Sequence, residues 1–416
     1  MGYGHDFSFL FLFFNSHQNF FPPMHILEMP SFFPPLGGLF CLDQAKALKE
    51  LGHEVRILSN VQLGATVGLK DFVTLPLGRF EEERGGVTVF QSFQRGLPKS
   101  VRYNAMRWVK TVGGMFDDYV ARYGQPDILH AHCAKWGGYA AMLIGQKYHI
   151  PYVITEHMPF YNLREELGEP PTTAWQVPLL RQAYHHADMV VTVAEELIND
   201  MACYFGSDYR WTFISNIIDT RFFCHKPRLP REGRPFRFCC PAIDTPRKGY
   251  DVLLAAFDQM ENREAELHVA GLNTDSSQFA QMVGRLSSAD RVKTHGNIDR
   301  EGIRQLLYDS DALVLATRGE VQPLVLLEAM STGLPVISTE CVPKNERIEG
   351  GCTIVPVDDV QALAKAMDRQ TTAPAAADGG MRLSQAVQRL ASKEVVGRQL
   401  EEVLRNAIAR YASGQQ

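Results

Sequence analysis

The chain has 416 residues, a length that suits two or three domains of ordinary size. We predict two domains. Apolar residues make up 45% and charged residues 21%, as in globular proteins that bury cores of normal size. The net charge of −5 argues against nucleic acid as the main partner. The eight cysteines show no CxxC pair and no zinc-type spacing, so we expect reduced thiols in a cytosolic protein.

The first 23 residues contain one short apolar stretch, which runs from Phe7 to Phe14. It is much shorter than the roughly 20 apolar residues of a membrane-spanning helix. It also lacks the basic segment and the small-residue cleavage site of a signal peptide. We interpret residues 1–23 as an N-terminal extension that precedes the fold, and a tail that touches a membrane is the alternative.

Short apolar runs alternate with amphipathic helical patterns from Met24 onward. The first run, MHILEMP, predicts a strand, and a loop with Gly37 and Gly38 separates it from a helix that ends at Gly52. This alternation predicts an α/β fold with parallel sheets that carry helices on both faces. The other strands predicted in this half cover residues 53–59, 127–132, 151–157, 189–194 and 212–216.

A proline-rich, basic segment at residues 224–235 has little apolar content and predicts a linker between domains. The alternation then restarts, with predicted strands at residues 236–243, 265–271, 291–296, 311–317, 335–339 and 352–357. We therefore predict two doubly wound domains, residues 24–223 and 236–385. Helices follow at residues 386–416, and whether they return to the first domain is left open.

Two doubly wound domains enclose a cleft, and ligands of such sheets bind beyond the carboxyl ends of the strands. The stretch from Arg318 to Thr339 follows one of these ends. Pro323 suits the start of a helix, so the free N–H groups of Leu324 and Val325 are expected at the cleft, where they would bind an anion such as phosphate.

Two glutamates flank this predicted helix start. Glu320 lies in the loop before it, and Glu328 lies one turn past Leu324 on the same face, where a carboxylate can accept hydrogen bonds from the vicinal hydroxyls of a ribose. The alternative is that Glu328 complements the helix dipole and Glu320 is an ordinary loop charge.

Other candidates also follow predicted strands. Arg247 and Lys248 precede a helix, where two cations suit a diphosphate group, although a solvated basic turn is the alternative. Gly37 and Gly38 would let the backbone approach phosphate or sugar, or they form a plain tight turn.

His130 and His132 end another predicted strand and share one face, with His132 nearer the cleft. Glu156 and His157 end the next strand; they are candidates for the acceptor side of a site or for capping of the sheet edge. We interpret the DSD sequence at residues 309–311 as a turn with capping roles and not as a metal site.

Several of these segments together resemble glycosyltransferase family 4, the bacterial group-1 glycosyl transferases. Glu320 and Glu328 match the E-x7-E motif of that family, and LEAMSTGLPVIST matches its usual continuation. The similarity extends over nearly the whole chain after Met24. The further matching segments are residues 32–55, 127–132, 154–157, 214–223 and 244–257.

The resemblance implies a GT-B fold, in which residues 24–223 form the acceptor-side domain and residues 236–385 bind a nucleotide sugar. It implies transfer of a sugar from a nucleotide-diphosphate donor to a hydroxyl acceptor with retention, in assembly of cell-surface polysaccharide, lipopolysaccharide or glycolipid, with no metal or cofactor. The implied catalytic residues are His132, Glu320, Arg247 and Lys248. The implied donor-binding residues are Gly37, Gly38, Arg247, Lys248, Glu320, Leu324, Val325 and Glu328.

The chain departs from the family at three places. Val321-Gln322-Pro323 replaces the frequent Gly-Phe-Gly, Ile217 replaces a common glycine, and the segment 340–343 replaces a Gly-Gly region. We expect these changes to bear on the donor sugar more than on the reaction class. Two alternatives stay open: a GT-B sugar-nucleotide epimerase, and a non-catalytic descendant that binds a sugar nucleotide or a glycan.

The segment at residues 94–114 contains five cations and no acid. A helical projection places Lys99, Arg102, Arg107 and Lys110 on one face, and Val101, Ala105, Trp108 and Val112 on the other. Residues 95–110 would then dock on anionic lipid at the inner face of the plasma membrane, beside a lipid-linked acceptor. The alternative is an ordinary amphipathic helix that packs through its Val/Trp face.

Overall fold

The structure is a computed structural model that describes residues 22–64, 69–74, 77–227, 233–373 and 378–414. Most of the predicted N-terminal extension, residues 1–21, lies outside the described residues, as do residues 228–232 of the predicted linker. Among the described residues, no helix has both the length and the apolar content needed to span a bilayer.

The N-terminal domain is built on an eight-stranded sheet with the order β3-β4-β2-β1-β5-β6-β7-β8. Its strands are β1 (His25–Pro30), β2 (Glu54–Leu63), β3 (Gly78–Arg84), β4 (Val87–Arg95), β5 (Ile128–His132), β6 (Tyr152–Glu156), β7 (Met189–Thr192) and β8 (Trp211–Phe213). All neighbours pair in parallel except β3 with β4. The β3–β4 hairpin was not predicted, because its edge strand is charged and lacks an apolar run.

Helices cover both faces of this sheet. They are α1 (Leu39–Glu50), α2 (Leu69–Thr74), α3 (Val101–Tyr123), α4 (Tyr139–Tyr148), α5 (Phe160–Leu167), α6 (Gln176–His185) and α7 (Glu196–Phe205). Alternate residues of one strand enter different cores: Leu27 packs in the core under α3 and α4, and Ile26 packs in the core under α1. Because both faces are buried, the strands read as continuous apolar runs in the sequence.

The C-terminal domain has a six-stranded parallel sheet with the order β11-β10-β9-β12-β13-β14. Its strands are β9 (Arg237–Pro241), β10 (Glu266–Ala270), β11 (Val292–Thr294), β12 (Ala312–Leu315), β13 (Val336–Thr339) and β14 (Cys352–Val355). Its helices are α8 (Tyr250–Gln259), α9 (Ser277–Gly284), α10 (Arg300–Asp309), α11 (Leu324–Ser331), α12 (Val360–Thr372) and α13 (Gly379–Ala391). The prediction of two doubly wound domains is confirmed.

The last helix, α14 (Lys393–Ala412), lies on the N-terminal domain. Val396, Leu400 and Leu404 are buried in the same core as Ile26. The chain crosses at Ser392, since the preceding helix α13 still packs in the C-terminal core and the Ile218 N–H donates to the Ala391 carbonyl at 2.8 Å. The crossing therefore follows α13, whereas the predicted domain boundary at residue 386 falls within that helix.

Helix α3 packs through the face that the sequence indicated, with one exception. Ala105, Trp108 and Val112 are buried, and the Trp108 indole donates to the Asn60 carbonyl at 2.6 Å. Val101, placed on the same face, is instead 61% exposed, because it lies in the first turn of the helix before the packed segment begins. Arg102 and Lys110 are exposed, as expected for the opposite face.

Candidate active site

Two cavities lie between the domains and meet at one loop. The first, of about 410 Å³, is called the Lys248 cavity, and the second, of about 740 Å³, is called the Tyr161 cavity. Glu320 and Val321 line both of them. The Lys248 cavity is lined by Phe40, His157, Pro159, Val193, Asn216, Pro241, Ala242, Ile243, Arg247, Lys248, Glu320, Val321, Gln322, Pro323, Leu324 and Val325.

One carboxylate and two cations form the polar wall of the Lys248 cavity. Glu320 Oε1 lies 2.6 Å from Lys248 Nζ, and its Oε2 lies 3.0 Å from Arg247 Nη1. The Thr317 hydroxyl donates to Glu320 Oε1 at 2.9 Å. The Glu320 side chain is only 6% exposed, so it holds both cations in one orientation. Two positive charges against one negative charge leave this wall suited to an anion.

The wall assembles because β9 and β12 are neighbours in the sheet and their carboxyl-terminal loops meet. Gly249 makes this approach sterically allowed: its φ is 65°, and a Cβ there would lie 1.9 Å from the Ala316 carbonyl oxygen. Only glycine fits such a position, so the Arg247-Lys248 turn and the Glu320 loop can pack together.

The N-terminus of α11 forms another side of the same cavity. Leu324 and Val325 line it, directly after Pro323. The first N–H groups of an α-helix have no partner within the helix, and they carry partial positive charge. The predicted anion site at this helix end therefore lies next to the two cations.

Glu328 lies one turn along α11 and is not among the residues that line either cavity. Burial raises the pKa of its carboxyl group to about 7, against the smaller opposing effect of Arg300 and with a further increase from Asp219. No hydrogen bond to its carboxylate is found among the described residues. Glu328 thus lies outside the lining of both cavities, within electrostatic reach of Arg300 of α10 and of Asp219.

Gly37 and Gly38 adopt positive φ angles of 93° and 83° in the turn before α1. A Cβ on Gly38 would lie 2.1 Å from the Phe32 carbonyl oxygen, so this glycine is required by the turn itself. A Cβ on Gly37 would have no atom within 4 Å. Neither glycine lines the Lys248 cavity; together they place Phe40, which does.

His132 is buried, with only 1% of its surface exposed, and does not line either cavity. Its Nδ1 lies 3.1 Å from His157 Nε2, and its Nε2 lies 2.8 Å from Glu28 Oε2. His157 is the histidine that reaches the cavity wall, where its ring stacks on Phe40 with centroids 3.8 Å apart. The reason is that β6 is followed by His157 beyond its end, whereas His132 is still within β5.

Glu28 was missed by sequence reasoning. The only signal is one acid in an otherwise apolar strand, MHILEMP. Glu28, His130 and His132 are all buried, and ligand atoms from the three lie within 4.8 Å of one another. Among the described residues, this is the group whose spacing would suit a metal ion. The nearby histidines lower the pKa of Glu28 to about 2 despite burial, and burial lowers the pKa of His132.

Two other polar candidates have structural partners. Glu156 accepts hydrogen bonds from the Ala134 and Met158 N–H groups and from the Tyr184 hydroxyl, at 2.6–2.9 Å. Asp311 accepts a bidentate pair from Arg234, at 2.7 and 2.9 Å. Glu156 therefore ties the sheet edge together. Asp311 pairs with a residue 77 positions earlier in the chain, which is not the turn or capping role that the sequence predicted.

Residues 321–323, which differ from the usual family sequence, join the two domains. Gln322 Oε1 accepts from the Asn216 N–H at 2.7 Å, and Gln322 Nε2 donates to the Ser215 hydroxyl at 2.7 Å. Val321 is buried in the core of the N-terminal domain. Val321 and Gln322, which replace the frequent Gly and Phe of the family, thus fill the interface.

The Tyr161 cavity lies on the other side of the Glu320 loop. It combines aromatic rings with charges of both signs from the two domains, and the Lys344 N–H donates to Glu196 across it at 3.0 Å. Its lining includes Phe160, Tyr161, Arg164, Glu165, Glu196, Asp200, Glu340, Lys344 and Arg347. Aromatic rings with nearby charges are typical of sites for hydroxyl-rich ligands.

Both domains match known protein families. A family model described as Glycosyltransferase Family 4 matches residues 37–222, and one described as Glycosyl transferases group 1 matches residues 236–372. A glycogen synthase of Mycobacterium tuberculosis is 26% identical over 395 residues, which is 89% of this chain and 91% of that protein. The phosphatidyl-myo-inositol mannosyltransferase of Mycolicibacterium smegmatis is 26% identical over 339 residues, 78% of each chain.

Solved structures show the same fold. Sucrose-phosphate synthase from Thermosynechococcus elongatus superposes with a TM-score of 0.75 at 19% identity, over 92% of this chain and 98% of that one. HepE from Anabaena, in complex with UDP-glucose, gives a TM-score of 0.64 at 17% identity, over 92% and 99%. The GT-B prediction is therefore confirmed. With one family model on each domain, the chain belongs to the group-1 glycosyltransferases of family 4.

Proposed function

We propose that this glycosyltransferase moves a hexose from a nucleotide-diphosphate donor to a hydroxyl acceptor, with retention of the anomeric configuration, in the biosynthesis of a cell-surface polysaccharide, lipopolysaccharide or glycolipid. The observation that carries this proposal is the convergence of Arg247, Lys248, Glu320 and the α11 N-terminus on one cavity. Relatives named as mannosyltransferases and a glycogen synthase support the reaction class. The complex of HepE with UDP-glucose supports a nucleotide sugar as the donor.

In this proposal the donor diphosphate binds in the Lys248 cavity. As the bond between the anomeric carbon and the diphosphate oxygen breaks, negative charge grows on the leaving group. Arg247, Lys248 and the helix end stabilise that charge electrostatically. They supply positive charge themselves, so we propose that the reaction needs no bound metal or cofactor. Glu320 orients the two cations, and the carboxylate of Glu328 binds the ribose hydroxyls.

The Tyr161 cavity is our proposed acceptor side. It opens on the opposite side of Glu320 and includes the aromatic residues Phe160 and Tyr161. An acceptor hydroxyl placed there would approach the anomeric carbon past the Glu320 loop. Further closure of the domains would exclude water and align the two substrates.

A panel of UDP-, GDP- and ADP-sugars tests the donor assignment. We expect one sugar nucleotide to raise the melting temperature clearly, and transfer to require an added glycan or lipid-linked acceptor. Conversion of the donor sugar without an acceptor would instead identify an epimerase. If no sugar nucleotide shifts the melting temperature, the proposal is wrong.

We also propose that the basic face of α3 contacts anionic lipid at the inner side of the plasma membrane. Arg102, Tyr103 and Lys110 are exposed on this helix, next to the exposed Val101. Basic and amphipathic side chains on one surface favour binding to anionic headgroups. The double variant Arg102→Glu, Lys110→Glu should lose co-sedimentation with vesicles that contain phosphatidylserine; equal sedimentation of wild type and variant would contradict this contact.

A further inference from the structure

A buried carboxylate is linked to the Lys248 cavity through two histidines. Glu28 is in the middle of β1 and is fully shielded from solvent, on the sheet face covered by α1. Its Oε2 lies 2.9 Å from His130 Nδ1 and 2.8 Å from His132 Nε2. A buried carboxylate is costly unless neighbouring groups donate hydrogen bonds to it. His132 therefore serves Glu28 as a donor, whereas His130 Nδ1 lies close to the carboxylate without the geometry of a hydrogen bond.

From Glu28 a chain of hydrogen bonds leads to the cavity. An ionised carboxylate can only accept, so His132 Nε2 carries the proton that bonds to Glu28. In a neutral imidazole the other nitrogen is then bare, and His132 Nδ1 accepts from the Nε2–H group of His157, 3.1 Å away. The same rule leaves His157 Nδ1 as a bare acceptor. Nδ1 has no hydrogen-bond partner among the described residues.

We infer that Glu28 is a positioning residue, which acts through His132 to hold His157 in the tautomer whose Nδ1 accepts a hydrogen bond from a hydroxyl of the sugar bound in the Lys248 cavity. This inference rests on the proposed function for the identity of the ligand. Nδ1 is shielded in the free protein, and the half-buried ring of Phe40 stacks on His157 and lines the same cavity. A local movement that exposes Nδ1 would admit the hydroxyl.

The second histidine in contact with Glu28 serves as the comparison. His130 Nε2 lies 2.7 Å from the Thr155 hydroxyl, so this branch ends inside the sheet and does not reach the cavity. Thr155→Val removes that hydrogen bond and keeps the shape of the side chain. It should leave both the His157 tautomer and the turnover number unchanged.

The direct test is ¹⁵N NMR of the histidine rings in the full-length protein, with His157 assigned from a His157→Gln variant. We expect wild-type His157 to be protonated at Nε2 and bare at Nδ1. Protonation at Nδ1, or at both nitrogens, would overturn the inference. So would a stoichiometric metal ion in the purified protein that Glu28→Gln removes, because His132 Nε2 would then bind metal instead of donating.

The variant Glu28→Gln tests whether the hydrogen-bond chain from Glu28 to His157 matters for catalysis. The amide can donate to His132 Nε2, which reverses every hydrogen bond in the chain and places a proton on His157 Nδ1. We expect kcat to fall about 10- to 100-fold, a range typical of residues that orient a functional histidine, while the nucleotide-sugar melting shift stays as in the wild type. An unchanged tautomer or an unchanged kcat would refute the role of Glu28. The wild-type spectrum remains decisive if this variant does not fold.

The two proposals fail in different ways. If no sugar nucleotide shifts the wild-type melting temperature, the proposed function is wrong, and the sugar contact of His157 is overturned with it. If the shift is present and His157 is protonated at Nδ1, the proposed function stands and the role of Glu28 is overturned.

Discussion

At the scale of single residues, Glu320 balances part of the positive charge in the Lys248 cavity. It contacts both Arg247 and Lys248 and is almost fully buried. In the free protein it compensates one of the two positive charges, and an arriving diphosphate would compensate the other. The cation pair is thus held ready for an anion without leaving two like charges unpaired in a buried wall.

Replacement of Lys248 by methionine should weaken donor binding while the fold persists, since Arg247 still pairs with Glu320. A charge-assisted hydrogen bond is worth about 1.5–3 kcal/mol, so we expect the Kd of the sugar nucleotide to rise about 10- to 100-fold. Titration calorimetry measures this change. Lys147→Met, at an exposed position, is the control. A similar loss for the nucleoside without phosphates would contradict a diphosphate contact of Lys248.

Glu328 should make stability depend on pH. Its pKa is raised from 4.5 to about 7, so between these values the folded chain retains a proton that the unfolded chain has lost. The free energy of unfolding therefore falls as pH rises through this window. Because the side chain is partly exposed, we expect a fall of about 1–2 kcal/mol. Urea unfolding at about pH 5 and about pH 8 should show this fall in the free energy of unfolding. Glu328→Gln should abolish the fall. If the free energy of unfolding depends on pH equally in both proteins, other groups cause the dependence.

At the scale of elements, the loop before α11 determines how the domains meet. Gln322 bonds to Ser215 and Asn216 in the segment that ends the N-terminal domain, and Val321 packs in that domain's core. This loop also carries Glu320. The interface and the charge arrangement of the cavity are therefore coupled through four consecutive residues, 320–323.

Gln322→Ala should loosen this interface. The Asn216 N–H would lose its acceptor, and leaving a buried donor unsatisfied costs about 1–3 kcal/mol. Hydrogen exchange should then accelerate at the Asn216 amide, with no comparable change at the amides of the central strand β1. Gln305→Ala, which removes a hydrogen bond to Asp309 on the surface of α10, is the matched control. Unchanged hydrogen-exchange protection of the Asn216 amide would show that the contact between Gln322 and Asn216 does not stabilise the domain interface.

At the scale of the whole molecule, the C-terminal helix α14 is part of the N-terminal domain. It leaves the C-terminal domain at Ser392 and buries Val396, Leu400 and Leu404 in the N-terminal core, where the helix contacts α1 and β6. The domains are consequently connected twice, once at the linker and once at this crossing.

Leu400→Ala should destabilise the N-terminal domain although it changes the C-terminal end of the chain. Truncation of a fully buried leucine costs about 2–5 kcal/mol. Limited proteolysis followed by mass spectrometry should show new cleavage in α1, which contacts α14. Glu402→Ala, an exposed substitution on the same helix, should change neither stability nor cleavage. Cleavage confined to the C-terminal domain would disprove this packing.

Local sequence patterns were sufficient to predict the two doubly wound domains, most of their strands and the residues that form the cation wall, while the β3–β4 hairpin was missed. Apolar runs and helix starts are local patterns, and residues at the carboxyl ends of neighbouring strands must lie on one edge. Arg247, Lys248, Leu324 and Val325 were predicted for this reason.

The way in which distant segments combine became visible in the folded chain alone. Nothing local indicates that Glu28 contacts His132, that Gln322 bonds to Asn216, or that α14 returns to α1, because each contact joins residues about 100 or more positions apart. The choice between His132 and His157 depended on where each strand ends. His132 is still within β5, whereas His157 follows β6 and reaches the cavity, and sequence patterns place strand ends only to within a few residues.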